Sequence, residues 1–152
     1  MALDYYILKN TDKEAVVSVT GTNDAVTLSL SSLLTSNQRL GATGAVGATG
    51  PVVNISAITS SGLLGSAVSV RRGATGASGS LVFTGAPENC PTVQFNQFGY
   101  SLNNQNNKDL LVTHGGTTAA TTILVLHKQD GYYSTIETAQ FSIYDDTTKV
   151  GE

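Results

Sequence analysis

The sequence has no tryptophan, a single methionine, three prolines and one cysteine, Cys90. One cysteine excludes an internal disulfide framework. Between Asn89 and Pro91, Cys90 reads as a free thiol in preference to an intermolecular bridge, which fits assembly in a reducing cytosol. Charge is also scarce: Asp, Glu, Lys and Arg make up 12% of the 152 residues, about half the usual share. The eight Lys and Arg are scattered, with Arg71-Arg72 the only adjacent pair. Nucleic-acid binding leaves a basic stripe, and this chain has none. Apolar runs are short as well. The longest, Ile123 to Leu126, falls far below a membrane span. The opening MALDYYILKN places Asp4 ahead of any apolar stretch and does not read as a secretory leader. Neither a nucleic acid nor a membrane is expected as a partner.

Signatures of catalysis and metal binding are missing too. The two histidines, His114 and His127, belong to no HxH or HExxH arrangement, and CxxC is absent. Both read as surface or strand-end side chains. No local signature pairs Cys90 with either of them as a thiol nucleophile. Among the eleven Asp and Glu, Asp12 lies near Glu14, Asp145 beside Asp146, and Glu137 stands alone. None forms a pattern that demands acid–base work, although paired glycosidase carboxylates meet only in the fold. The GATG segments lack the Gly-Lys-Ser/Thr ending of a phosphate loop. Asn54-Ile55-Ser56 has the form of a glycosylation triplet but sits within a strand pattern. The expectation is a protein without cofactor, metal or catalytic centre.

Ser, Thr, Asn, Gln and Gly take the place of the missing charge, and they alternate with β-branched residues. Ala15, Val17 and Val19 share one strand face; Val26, Leu28 and Leu30 share another. Thr22-Asn23-Asp24 between them, beside Gly21, predicts a β-hairpin. Further short strands are expected at 5–8, 53–57, 67–71, 81–84, 93–97 and 110–113. Residues 103–107 read as an Asn-rich loop. The run at 123–127 reads as a central strand buried on both faces. The Asp130-Gly131 pair marks a turn, and 31–40 reads as a helical turn or loop. No 3.6-residue stripe and no βαβ alternation is present. The expected fold is all-β: an antiparallel β-sandwich or jelly-roll over residues 1–131. The expected core is Val17, Val19, Leu28, Leu30, Val53, Ile55, Phe95 and Val125, with Ile123 or Leu124.

Two segments stand apart from the alternation. Glycine occupies every third position at Gly41, Gly44, Gly47 and Gly50, with a weaker echo from Gly73. The run reads as an exposed Gly-rich loop over 41–51, since four triplets are too few for a collagen-like triple helix. A threefold assembly would still set three such loops side by side. The end of the chain, 132–152, carries Tyr132, Tyr133, Ile136, Phe141, Ile143 and Tyr144 with little regular period. It reads as an extended C-terminal arm whose aromatic and aliphatic side chains anchor an interface; an edge strand on its own sheet is the alternative.

The segments ALDYYILKN, AVVSVTGTNDAVTLSL, VQFNQFGYSLNN and GYYSTIETAQFSIYDD together resemble the small structural proteins of tailed bacteriophages. The likeness is strongest to the capsid decoration, or cement, proteins of cyanophage-like viruses. That resemblance implies a virion protein assembled in the host cytoplasm. It implies binding to the major capsid protein on the outer surface of the phage head, as a homotrimer, and stabilisation of the head. The alternative is an adhesin: a receptor-binding or fibre-associated domain of a phage tail, or the head of a collagen-like surface protein.

Overall fold

The computed structural model describes residues 2–40, 51–73, 79–94, 102–106, 108–129 and 131–134. Twelve strands lie among them, all paired antiparallel: β1 (Asp4–Asn10), β2 (Glu14–Gly21), β3 (Asp24–Leu28), β4 (Gln38–Leu40), β5 (Val53–Gly62), β6 (Ser66–Arg72), β7 (Ser80–Gly85), β8 (Thr92–Gln94), β9 (Leu102–Asn106), β10 (Leu110–Gly116), β11 (Ala120–Lys128) and β12 (Tyr132–Ser134). The fold is all-β. One sheet runs β1-β2-β11-β5-β8, with β9 also on β5; a second runs β3-β10-β6-β7; β4 and β12 form a small third pair.

The alternation read in β2 is the reason the two large sheets pack together. Ala15, Val17 and Val19 have no exposed surface, and neither do Ile55, Ile58, Leu124 and Leu126 of the same sheet. Leu28, Val70, Leu110 and Val112 close over them from the second sheet, and all of these join one core cluster. Each buried Val, Leu or Ile side chain contributes roughly 1.5–3 kcal/mol by leaving water. The core also takes in Leu30 and Leu33 from a 3₁₀ turn at Leu30–Leu33. That turn and β4 occupy the stretch whose period lapses.

Several expectations change in the structure. β2 and β3 are not a hairpin: β2 pairs with β1 and β11, β3 with β10. A period-2 pattern says which face is buried but not which strand lies alongside, and here the chain turns a corner from one sheet to the other. The same corner recurs between β5 and β6 and between β10 and β11. β11 is central, between β2 and β5, but only its even-numbered residues are fully inward; Ile123 and Val125 are half-buried on the other face. Of Ile123 and Leu124, it is therefore Leu124 that belongs to the core, together with Leu126, and Val125 does not. Residues 102–106 form β9 on the edge of β5 rather than a loop, because a backbone ladder does not require apolar side chains. A bulge at Ser56 opposite Val125 and Leu126 shifts the inward face of β5 from Val53 and Ile55 to Ile58 and Ser60. Val17, Val19, Leu28, Leu30, Val53 and Ile55 are buried as expected. Phe95 and the 41–50 loop lie outside the described residues.

Candidate interface

The first two arm residues are held by their own domain. β12 pairs with β4, Tyr132 opposite Leu40 and Tyr133 opposite Arg39. Tyr132 is half-buried against the core, and its hydroxyl donates to the Leu30 carbonyl at 2.6 Å. Burial pushes its phenol pKa up, the Asp109 charge adds to this, and Arg72 opposes it. The Tyr133 ring lies 5.7 Å from the Arg39 guanidinium. Ile136, Phe141, Ile143 and Tyr144 lie outside the described residues.

Tyr132 sits beside two buried cations that nothing in the local sequence marks. Lys128 closes β11 at the end of the sandwich away from the three sheet-to-sheet corners. Its ammonium donates to Asn10 Oδ1 at 2.7 Å, the Thr11 carbonyl at 2.8 Å, Gln38 Oε1 at 2.9 Å and the Leu33 carbonyl. These oxygens are all neutral, and the Tyr132 ring centroid lies 5.1 Å from Nζ. Desolvation lowers the lysine pKa, with the charge of Asp12 acting the other way. Gln38 in turn donates to the Asp12 carbonyl at 2.7 Å, and Thr35 donates to the Asp12 carboxylate at 2.7 Å. Arg72 donates to the Lys108 carbonyl at 3.0 Å and to the Val53 carbonyl, and burial depresses its pKa to about 10. Six separate segments thus meet around two cations and one tyrosine, in a hydrogen-bonded cluster of the kind that fixes geometry.

Both histidines now have places. His127 is half-exposed, near the end of β11, with Nε2 3.6 Å from the Glu14 carboxylate. His114 is fully buried in the middle of β10, which corrects its reading as a surface or strand-end residue. Its ring bridges the sheets, with Nδ1 3.2 Å from the Gly21 carbonyl and Nε2 2.8 Å from Thr122 Oγ1. Desolvation lowers its pKa, partly offset by the bond to Gly21. Glu14 also pairs with Lys9 at 3.2 Å, so Asp12 and Glu14 serve different partners. Cys90 is exposed and free, in left-handed backbone (φ 47°) after the 3₁₀ turn Pro87–Asn89. Asn54 and Ser56 are buried within β5. Among the described residues no three His, Cys, Asp or Glu are grouped to hold a metal ion. No described helix is long and apolar enough to cross a membrane.

The outward surface is unusual in its large apolar side chains. Tyr6 and Leu8 on the edge strand β1 are 58% and 59% exposed, with Ile7 between them. Leu63 and Leu64, at the corner between β5 and β6, are 69% and 79% exposed. Leu81 on β7, at the edge of the second sheet, is half-exposed. A shallow polar depression lies at the corner end, lined by Ala2, Thr22, Asn23, Asp24, Gly116 and Thr117. An open bowl of small and polar residues has little with which to enclose a small molecule. The sequence reading did not single out these exposed positions, since the apolar run Tyr5 to Leu8 carries the same signal as a buried strand. No protein-family model matches the chain, and no curated protein matches it.

Proposed function

We propose that this chain is a virion structural protein, a capsid decoration or cement protein that binds the outer surface of a phage head and stabilises it. The observation that carries the reading is the placement of large apolar side chains, Tyr6, Leu8, Leu63 and Leu64, on a protein whose charged groups are few and partly buried. Such positions lose solvent exposure when a neighbour covers them, and a weakly charged surface permits dense packing of copies with little repulsion. The sequence resemblance to phage decoration proteins supplies the partner: the major capsid protein, with the chain itself as a homotrimer. In this reading the protein is not an enzyme; binding alone is its task. Residues 135–152, with Ile136, Phe141, Ile143 and Tyr144, are the segment proposed to reach a neighbour.

Quantitative mass spectrometry and immunogold labelling of purified virions test this. The expected result is a high copy number confined to heads. Low-copy labelling at the tail tip would favour the fibre-associated adhesin, and absence from virions would overturn both.

A further inference from the structure

We infer that Lys128 and Asn10 are joined by an intramolecular isopeptide bond, which ties β1 to β11 across β2. The geometry is that of two groups poised to react. Nζ of Lys128 lies 2.7 Å from Oδ1 of Asn10. A carbonyl bond is about 1.23 Å long, so Nζ stands roughly 3–4 Å from Cγ, and separations of about 3–3.5 Å mark near-attack arrangements. Lys128 is only 8% exposed, and the Tyr132 ring lies beside Nζ. The same burial that hides the amine favours its neutral, nucleophilic form.

The other nearby carboxamide is less suited. Gln38 is anchored at both ends: Nε2 donates to the Asp12 carbonyl at 2.7 Å, and Oε1 also accepts the Thr35 amide at 3.3 Å. Its nitrogen leaves only by breaking a partly buried hydrogen bond. Asn10 meets Nζ through its oxygen, which polarises Cγ towards attack. The step balances without any added reagent. Nζ attacks Cγ, the Nζ–Cγ bond forms, and the Cγ–Nδ2 bond breaks. The two protons that the lysine ammonium gives up pass to the departing nitrogen, which leaves as ammonium ion. Asp12, on the loop beside Asn10 and close enough for its charge to act on Nζ, is the carboxylate at hand to relay them. The product spans 118 positions of sequence with one covalent bond. It closes the end of the sandwich where the 3₁₀ turn Leu30–Leu33, β4 and β12 converge.

Intact-mass spectrometry of the purified full-length chain tests the inference. The expected mass falls short of the sequence mass by one ammonia. The expected tryptic digest loses cleavage after Lys128 and contains a branched peptide joining Asn10–Lys13 to the segment around Lys128. Asn10→Asp should yield the same linked product with loss of water instead. Lys128→Arg keeps the charge and should restore the full sequence mass. A wild-type chain at full sequence mass after prolonged folded incubation would overturn the inference. So would an ammonia deficit that persists in Lys128→Arg, which would mark a succinimide at Asn10.

Discussion

His114 of β10 and Thr122 of β11 meet at 2.8 Å in the core, and this contact ties the second sheet to the first. With Nδ1 donating to the Gly21 carbonyl, Nε2 is left to accept the Thr122 hydroxyl, so the arrangement suits a neutral ring. Burial lowers the native pKa below the ordinary 6.5. Between 6.5 and that lower value the unfolded chain binds a proton that the native state refuses. Stability is therefore whole above pH 6.5 and declines as pH falls through this window. One group contributes at most about 1.4 kcal/mol per pH unit. Urea midpoints from neutral pH to pH 4.5 should show this decline, and His114→Gln should flatten it while lowering stability at every pH. An unchanged slope in His114→Gln would assign the pH dependence elsewhere.

The register of β11 gives a sharper contrast. Leu124 has no exposed surface, while its neighbour Val125 is half-buried on the outer face. Leu124→Ala should cost about 2–5 kcal/mol, and Val125→Ala about 1 kcal/mol. Equal losses in chemical denaturation would mean that both faces of the strand are covered.

That contrast shows what a sequence of this kind can and cannot tell. Ala15, Val17 and Val19 declare their buried face because strand period is a local property, fixed by where successive side chains point. The partner of the strand is not local. Nothing in Thr22-Asn23-Asp24 separates a hairpin from a corner, and the strand after it pairs with β10, more than eighty positions later. Ile55 and Ile58 look out of phase until the bulge at Ser56 accounts for the extra residue. The buried polar groups were the least legible. His114 finds Gly21 at a separation of 93 positions, and Lys128 finds Leu33 at 95. Each carries the same letters as a solvated residue. Of the interface positions proposed from sequence, only Tyr132 and Tyr133 fall where the structure describes them.

Two glycines with the same backbone twist should respond differently to substitution. Gly116 (φ +92°) and Gly65 (φ +89°) face each other at the corner end. A Cβ on Gly65 meets nothing nearer than Thr117 Oγ1 at 3.8 Å, so Gly65→Ala should cost only the left-handed strain, about 1–2 kcal/mol. A Cβ on Gly116 would overlap the Gly65 carbonyl oxygen, a backbone atom that no side-chain rotation can move aside. Gly116→Ala should therefore cost more than about 4 kcal/mol or prevent folding. Thermal melts of the two variants, compared side by side, check the difference.

Tyr132 is held by the domain, next to the segment proposed for assembly. Its hydroxyl donates to Leu30, its ring lies beside Lys128, and its backbone pairs with Leu40, so β12 completes the end of the sandwich. Tyr132→Phe removes one donor and leaves a half-buried carbonyl without it; the expected loss is about 1 kcal/mol. A chain ending before Tyr132 also gives up the ring and the pairing with β4. It should lose about 3–5 kcal/mol, as for removal of a packed aromatic side chain. A chain ending at Ser134 retains every one of these contacts and should melt at the wild-type temperature. The proposed role of residues 135–152 adds a second expectation for that shorter chain: sedimentation velocity should show a monomer where the full chain is a trimer. Full stability with loss of assembly would place the interface beyond Ser134. Loss of stability in the Ser134 chain would make 135–152 part of the domain and remove the main argument for an arm. An unchanged trimer would move the interface to the apolar residues on β1 and at the Leu63-Leu64 corner.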